Sequence, residues 1–331
     1  MTNELLKVEN LKTEFKTSKG LLTAVNNVSF HVDRGETVCI VGESGCGKSI
    51  TALSILGLLP KNGVITNGSV HFQGEDLLTL SKEDMRRKRG KDISMIFQEP
   101  MTALNPVFTI GFQLRESILT HNNISKAKAH EQGITLLEQV GIPSPKERMN
   151  QYPHELSGGM RQRVMIAMAL SCNPALLLAD EPTTALDVTI QSQILDLIQD
   201  LKNEFNMGLL LITHDMGVVA EIADRVIIMY AGKIVEEGTV KEVFTDPKHP
   251  YTKGLLNSVP NVDDPTFKLE PIRGTLPNID EEIGGCRFHP RCEHAMDICK
   301  VDHPSIVSFS PNHRTSCWLH KKDTQTTTKA H

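Results

Sequence analysis

Gly42-Glu43-Ser44-Gly45-Cys46-Gly47-Lys48-Ser49 follows an apolar run over residues 37–41 and opens a helical pattern over about 48–58. The spacing fits G-x-x-x-x-G-K-[ST] at each fixed position, in the strand-then-helix context the motif needs. Glycines here let backbone N–H groups turn inward around phosphate oxygens, and the helix start adds its positive end. Lys48 then reaches the β- and γ-phosphates of a nucleoside triphosphate, while the Ser49 hydroxyl suits Mg²⁺. A glycine-rich turn without chemistry is the competing reading, and the flanking elements weigh against it.

Leu176-Leu177-Leu178-Ala179-Asp180-Glu181 is an apolar strand ending in two carboxylates. The strand delivers Asp180 to the sheet edge where Mg²⁺ would sit, and Glu181 is placed to polarise an attacking water. Paired acids at a strand end also serve as helix caps or solvated turns; beside the phosphate loop the chemical reading is preferred. Leu156-Ser157-Gly158-Gly159-Met160, ahead of a helix-like run over 161–170, repeats the physics of a hydroxyl and two glycines at a helix start.

Positioning these groups requires a layered scaffold. Residues 1–40 predict short strands and turns, over 5–8 and 28–32, with a polar turn at Ser18-Lys19-Gly20. Further strands are predicted at 93–97, 176–179, 209–213 and 226–230, with helical patterns between several of them. That alternation signals α/β layering around a largely parallel sheet. The stretch 105–170 lacks strand runs, and Ile134, Leu137 and Val140 recur at three-residue spacing, so it predicts a helical insertion. After Phe244 nine prolines break any long helix or central strand, and the end from Lys321 is polar and expected to fray.

Composition narrows the class of protein. The 331 residues carry 35 Lys+Arg against 40 Asp+Glu, a formal charge of −5, and 39% are hydrophobic, enough for a substantial core. A mildly acidic chain lacks the basic face expected of a nucleic-acid binder. The longest unbroken apolar run, from Val164 to Leu170, is far short of the ~18–20 residues that cross a bilayer. No basic, apolar, small-residue leader opens the sequence, which argues against secretion.

Seven cysteines divide into two groups. Cys39, Cys46 and Cys172 are scattered and read as small buried hydrophobes. Cys286-x5-Cys292-x6-Cys299, then seventeen residues to Cys317, is a four-thiol set in the proline-rich region. The spacings are wider than the usual zinc knuckle. Four thiolates suit an iron–sulfur cluster; zinc, with His289, His294 or His313 assisting, and four reduced thiols are the alternatives. A structural role fits better than redox turnover, because a segment with little core gains most from a cross-link.

With Leu156-Ser157-Gly158-Gly159 in view, the sequence resembles the ATP-binding cassette (ABC) family, with Met160 where a Gln is usual. In that family this signature loop closes over nucleotide bound to an opposing subunit. The resemblance implies further roles: Gln98 as the Q-loop residue that senses Mg²⁺ and the attacking water, Ala185-Leu186-Asp187 as the D-loop, and His214 as the switch histidine at the γ-phosphate. Phe15 stands where an aromatic stacks on adenine, and Ile50 follows the loop against the nucleotide. The catalytic set is thus Glu181, His214 and Gln98. The Mg²⁺ set is Ser49, Gln98 and Asp180, and the nucleotide set runs from Phe15 through residues 42–50 to Ser157, Gly158, Gly159 and Asp187.

The resemblance narrows to the peptide-importer branch. It rests on Met95-Ile96-Phe97-Gln98-Glu99-Pro100-Met101-Thr102-Ala103-Leu104-Asn105-Pro106, on Ala179 through Asp187, and on His249-Pro250-Tyr251-Thr252-Lys253-Gly254-Leu255-Leu256. Together they resemble the D-type ATP-binding subunit of an oligopeptide or dipeptide permease, with nickel importers sharing much of the pattern. Relatives in that branch hold a [4Fe–4S] cluster at the four cysteines.

The implied fold is α/β: an ABC nucleotide-binding P-loop domain over 1–245 with an N-terminal antiparallel β subdomain and a helical subdomain over about 105–170. An irregular metal-binding extension over 246–331 follows. The implied partners are a second ATPase subunit in a heterodimer, two membrane-spanning permease subunits and an extracytoplasmic binding protein. That places the chain peripherally on the cytoplasmic face of the cell membrane. A nickel or metal-chelate importer and a soluble ABC ATPase are the alternatives; the latter usually carries a second cassette or a long coiled coil, and neither is visible.

Overall fold

Each apolar run expected to be a strand forms one, and shorter or more polar segments add others. In chain order they are β1 (Glu4–Thr17), β2 (Gly20–Asp33), β3 (Thr37–Val41), β4 (Gly63–Phe72), β5 (Glu75–Asp76), β6 (Ile93–Ile96), β7 (Leu176–Asp180), β8 (Gly208–Thr213), β9 (Arg225–Tyr230), β10 (Lys233–Thr239), β11 (Val307–Ser308) and β12 (Arg314–Thr315). The computed structural model describes residues 3–99, 103–184, 186–258 and 272–321. Pro100, Met101, Thr102 and Ala185, and the tail beyond Lys321, lie outside the described residues.

Two sheets organise the chain. One is antiparallel, in the order β2-β1-β4-β5; the other runs β11-β12-β10-β9-β3-β8-β7-β6. Within the second, β9, β3, β8, β7 and β6 are parallel, and β10, β12 and β11 extend it antiparallel. Every residue of β3, β7, β8 and β9 is buried, as a parallel sheet covered on both faces demands. Their period of two divides the core. Cys39, Val41, Leu177, Ala179, Leu209 and Leu211 face a cluster with Leu114, Leu137 and Ile198 from the helices. Val38, Ile40, Leu176, Leu178, Leu210 and Ile212 face the helix Lys48–Ile55 and the inner side of the antiparallel sheet, including Leu6, Val25 and Phe72.

Residues 110–170 are helical as expected, in Ile110–His121, Lys126–Gln139, Pro145–Arg148 and Gly158–Leu170. Thr109, Ser125 and Ser157 cap the three longer helices by accepting an N–H three residues on. None of the helices among the described residues is long and apolar enough to cross a membrane.

The structure corrects three expectations of extent. β1 and β2 each run for fourteen residues rather than four or five. Asn10 and Asn27, which lie outside the expected short strands, adopt positive φ at irregularities in the pairing and are bulges within continuous strands. The helix after the phosphate loop ends at Ile55, three residues early, and Gly57 at φ 61° takes the chain out of it. The proline-rich region also contributes to the main sheet, since β12 pairs with β10 through Glu236↔Thr315 and Glu237↔Arg314. That edge is held by charges. Arg225, buried, reaches Glu36 at 2.9 Å and pairs with Glu237, which also takes Arg314. Buried His313 meets Glu236 at 2.8 Å.

Candidate nucleotide site

β3, β6, β7 and β8 finish side by side, with Val41 beside Thr213, Asp180 beside Ile212 and Ile96 beside Ala179. The loops that leave this carboxyl edge therefore meet, which is where α/β sheets bind ligands. Gly42 leaves β3 against β9: a Cβ there would lie 2.2 Å from the Met229 carbonyl oxygen. Gly47 has φ +107°, and its Cβ would lie 2.7 Å from the Ala24 carbonyl oxygen. Two of the motif's glycines are thus fixed by close backbone approach, quite apart from any ligand.

Lys48 is 5% exposed and its Nζ donates to the carbonyls of Gly42 at 2.7 Å and Glu43 at 3.2 Å. The loop holds its own lysine by neutral acceptors, which phosphate oxygens outcompete because charge-assisted bonds are the stronger. Ser49 Oγ donates to Asp180 Oδ1 at 3.0 Å. Burial pushes the Asp180 carboxyl above its usual range, with the Ser49 hydrogen bond and Lys48 pulling the other way and Glu181 adding to the rise. A hydroxyl and a half-desolvated carboxylate in contact are a fitting donor pair for Mg²⁺, whose charge would reverse that shift.

Glu181 is the centre of the arrangement. Its Oε2 accepts from Gln98 Nε2 at 3.1 Å and Thr184 Oγ1 at 3.0 Å. Its Oε1 lies 3.3 Å from His214 Nδ1 and 3.9 Å from Lys48 Nζ. The residue itself has φ 45°, a left-handed conformation that costs a non-glycine residue roughly 1–2 kcal/mol, and its N–H is fixed to the Ile212 carbonyl at 2.9 Å. Strain of this kind at a carboxylate held by four neighbours points to a preorganised role.

The structure therefore brings together Lys48, Ser49, Gln98, Asp180, Glu181 and His214. It does not bring in the signature loop or the D-loop residue. Ser157 is exposed and accepts from Met160 N at 3.3 Å, capping its own helix. Asp187, also exposed, accepts from Ile190 N at 2.9 Å and caps the helix Val188–Phe205. Phe15 is half-buried on β1 opposite Leu22 and Gly63.

Three contributors escaped the sequence reading. Thr184 has a hydroxyl three residues after Glu181, a signal that was available. Tyr251 and Arg291 reach Glu43 from the proline-rich region, at 2.9 Å to its N–H and 2.6 and 2.9 Å to its carboxylate. Nothing local marks them, because sequence separations of 208 and 248 residues hide the contact.

The four clustered cysteines are free thiols. Burial, then the neighbouring thiols, raises Cys286, Cys292 and Cys317, the last to about 11. The backbone at Phe288, His294 and Leu319 pulls the three the other way, toward thiolate. Among the described residues, however, no group of three or more His, Cys, Asp or Glu is disposed to hold a metal ion. The zinc alternative with a histidine also loses His313, whose Nε2 is engaged by buried Glu236.

Comparison with known proteins places this geometry in context. The ABC transporter family profile matches residues 25–184, and that of the oligopeptide/dipeptide transporter C-terminal region matches 235–299. The oligopeptide transport ATP-binding protein AppD of Bacillus subtilis is 52% identical, over 96% of this chain and 98% of its own. The dipeptide transport ATP-binding protein DppD of the same organism is also 52% identical, over 96% and 95%. OppD of Salmonella typhimurium, an oligopeptide transport ATP-binding protein, is 50% identical over 96% and 94%. Among solved structures, a dimeric ATP-binding cassette in a post-hydrolysis state with ADP and phosphate superposes with TM-score 0.65 at 28% identity, over 71% of this chain and 99% of that one.

Proposed function

This chain belongs to the ABC transporter family, in its oligopeptide and dipeptide branch, and from that premise we propose how its residues drive import. It is the ATP-hydrolysing subunit that energises oligopeptide or dipeptide uptake. The observation that carries the mechanism is the convergence of Gln98, Thr184, His214 and Lys48 on the Glu181 carboxylate.

Lys48 leaves the Gly42 and Glu43 carbonyls for the β- and γ-phosphates, and the loop's N–H groups surround them. Ser49 and Asp180, with Gln98, would hold Mg²⁺, which would supply charge neutralisation at the phosphates. Glu181 accepts a proton from the attacking water as general base. Gln98 and Thr184 keep one carboxylate oxygen occupied, so the other faces the γ-phosphate. His214, 61% exposed at its side chain, is free to turn from Glu181 to a γ-phosphate oxygen. Phe15 offers a face to the adenine.

Ser157, Gly158, Gly159 and Asp187 act across an interface, on nucleotide held by a second ATPase subunit. The exposure of Ser157 and Asp187 supports this, with Gly158 and Gly159 half-buried beside Ser157, as does Val188, 83% exposed beside Asp187. Contacts that exist only in the closed pair make ATP favour closure, and hydrolysis removes them. The cassette domain spans 1–245, its helices over about 105–170 carry the movement to two membrane-spanning subunits, and residues 246–331 form the extension. A binding protein outside the membrane delivers the peptide, and this chain sits on the cytoplasmic face. Co-expressed with its permease subunits, it is expected to co-purify in detergent and hydrolyse ATP faster with peptide-loaded binding protein. Stimulation by nickel and not by peptide would redirect the assignment.

Cys286, Cys292, Cys299 and Cys317 are the residues that would hold a [4Fe–4S] cluster, which would cross-link the extension. What supports this reading is the donor set: four free thiols within one short segment, with Cys286, Cys292 and Cys317 raised by burial and by neighbouring thiols. Anaerobically purified protein is expected to be brown, with close to four iron and four sulfide per chain. A colourless protein free of iron and sulfide would remove the cluster.

A further inference from the structure

The proline-rich extension does more than pack beside the nucleotide site: it holds one residue of the phosphate loop at two points, its carboxylate and its N–H. Arg291 forms a two-point pair with Glu43, Nη1 to Oε2 at 2.6 Å and Nη2 to Oε1 at 2.9 Å. Tyr251 Oη accepts the Glu43 N–H at 2.9 Å. The Glu43 carbonyl in turn accepts from Lys48 Nζ at 3.2 Å. Arg291 and the phosphate-binding lysine are therefore linked through a single residue.

The anchor is rigid on the extension side. The Arg291 side chain is 6% exposed, and its Nε donates to the Arg273 carbonyl at 2.8 Å. Its guanidinium lies 5.8 Å from the Tyr230 ring and 6.0 Å from that of Phe288. Those two rings and Tyr251 pack edge-on or tilted, with centroids 4.7–5.4 Å apart. A fork-shaped cation fixed by packing restrains a carboxylate in direction as well as distance, which a lysine in its place would not.

We propose that Arg291 is a positioning residue for ATP binding: by fixing Glu43 it presets the phosphate loop, and with it Lys48, in the conformation that receives the triphosphate. An unrestrained loop must be ordered when ATP arrives, and affinity falls by that cost. Because Arg291 closes the short turn His289–Arg291 between Cys286 and Cys292, the fold of the cysteine segment reaches the nucleotide through this pair. The inference rests on the ATPase reading above.

The test uses the full chain for nucleotide binding, with a fluorescent ATP analogue, and the assembled transporter for steady-state hydrolysis. Arg291→Gln is expected to raise both the analogue Kd and KM for ATP about tenfold (~1.4 kcal/mol), with kcat within about twofold of wild type. Glu43→Gln, made at a side chain that is 30% exposed, is expected to do the same, and it carries the test if Arg291→Gln does not fold. The double variant is expected to be no worse than either single one, since both remove the same pair. Wild-type Kd and KM in folded Arg291→Gln or Glu43→Gln, a fall in kcat alone, or effects that multiply in the double variant would each overturn the proposal. A wild-type transporter that binds the analogue but does not hydrolyse ATP would count against the ATPase reading; the Kd series would still decide the role of Arg291.

Discussion

Glu181→Gln is expected to leave ATP bound and slow its hydrolysis by roughly 10²–10⁴-fold, the usual scale for loss of a general base. The substitution is nearly isosteric, so the amide oxygen takes the place of Oε2 and still accepts from Gln98 and Thr184, the bonds now at 3.1 and 3.0 Å. The backbone at φ 45° and the N–H bond to Ile212 are untouched. What is lost is the basic oxygen facing His214 and Lys48. The negative charge 3.9 Å from Lys48 Nζ is lost with it, so Lys48 is no longer shared between a carboxylate and the phosphates. ATP should therefore bind at least as tightly as in wild type. Binding is read with a fluorescent analogue and turnover in the assembled transporter. Wild-type turnover would remove Glu181 from catalysis, and loss of binding would recast it as a structural support for the loop.

That a carboxylate does this work is legible in the sequence, and the reason is local. A phosphate loop, an apolar strand ending in Asp180-Glu181, and a His after β8 are each short-range patterns, and a parallel sheet brings the ends of its strands to one edge. The parts that were hidden are those where distant segments meet or where polar residues lie inside regular structure. Asn10 and Asn27 fell outside the expected strands because their bulges depend on pairing with a neighbouring strand. Glu43 occupies a variable position of the motif, and nothing near it in sequence indicates that Tyr251 and Arg291 fix both its N–H and its carboxylate. The prolines after Phe244 correctly excluded long elements, yet two-residue strands need no periodicity, and the edge formed by β11 and β12 left no pattern to find. The cysteines illustrate the converse: their number and clustering indicated a shared ligand, while among the described residues no group of three or more His, Cys, Asp or Glu is disposed to hold a metal ion.

Lys48→Ala is expected to abolish transport and to weaken ATP binding by at least about a hundredfold (~2.7 kcal/mol). The lysine is 5% exposed and its ammonium bonds to the carbonyls of Gly42 and Glu43, so truncation takes the cation from both oxygens; that of Glu43 keeps the Cys46 N–H at 3.2 Å, while that of Gly42 loses this partner. Those oxygens would then face the incoming phosphates with no charge between them, and Glu181 would lose the cation 3.9 Å from its Oε1. Both effects oppose an anion, and neither is recovered by the loop N–H groups alone. The contrast with Glu181→Gln is what gives the pair its power. One variant binds without hydrolysing and should hold the two cassettes closed, whereas the other fails at binding and should leave them apart. Measured on the same assembled transporter, ATP-dependent closure should therefore rise with Glu181→Gln and vanish with Lys48→Ala. Undiminished uptake of peptide by the Lys48→Ala assembly would mean that this chain's own phosphate loop does not drive transport.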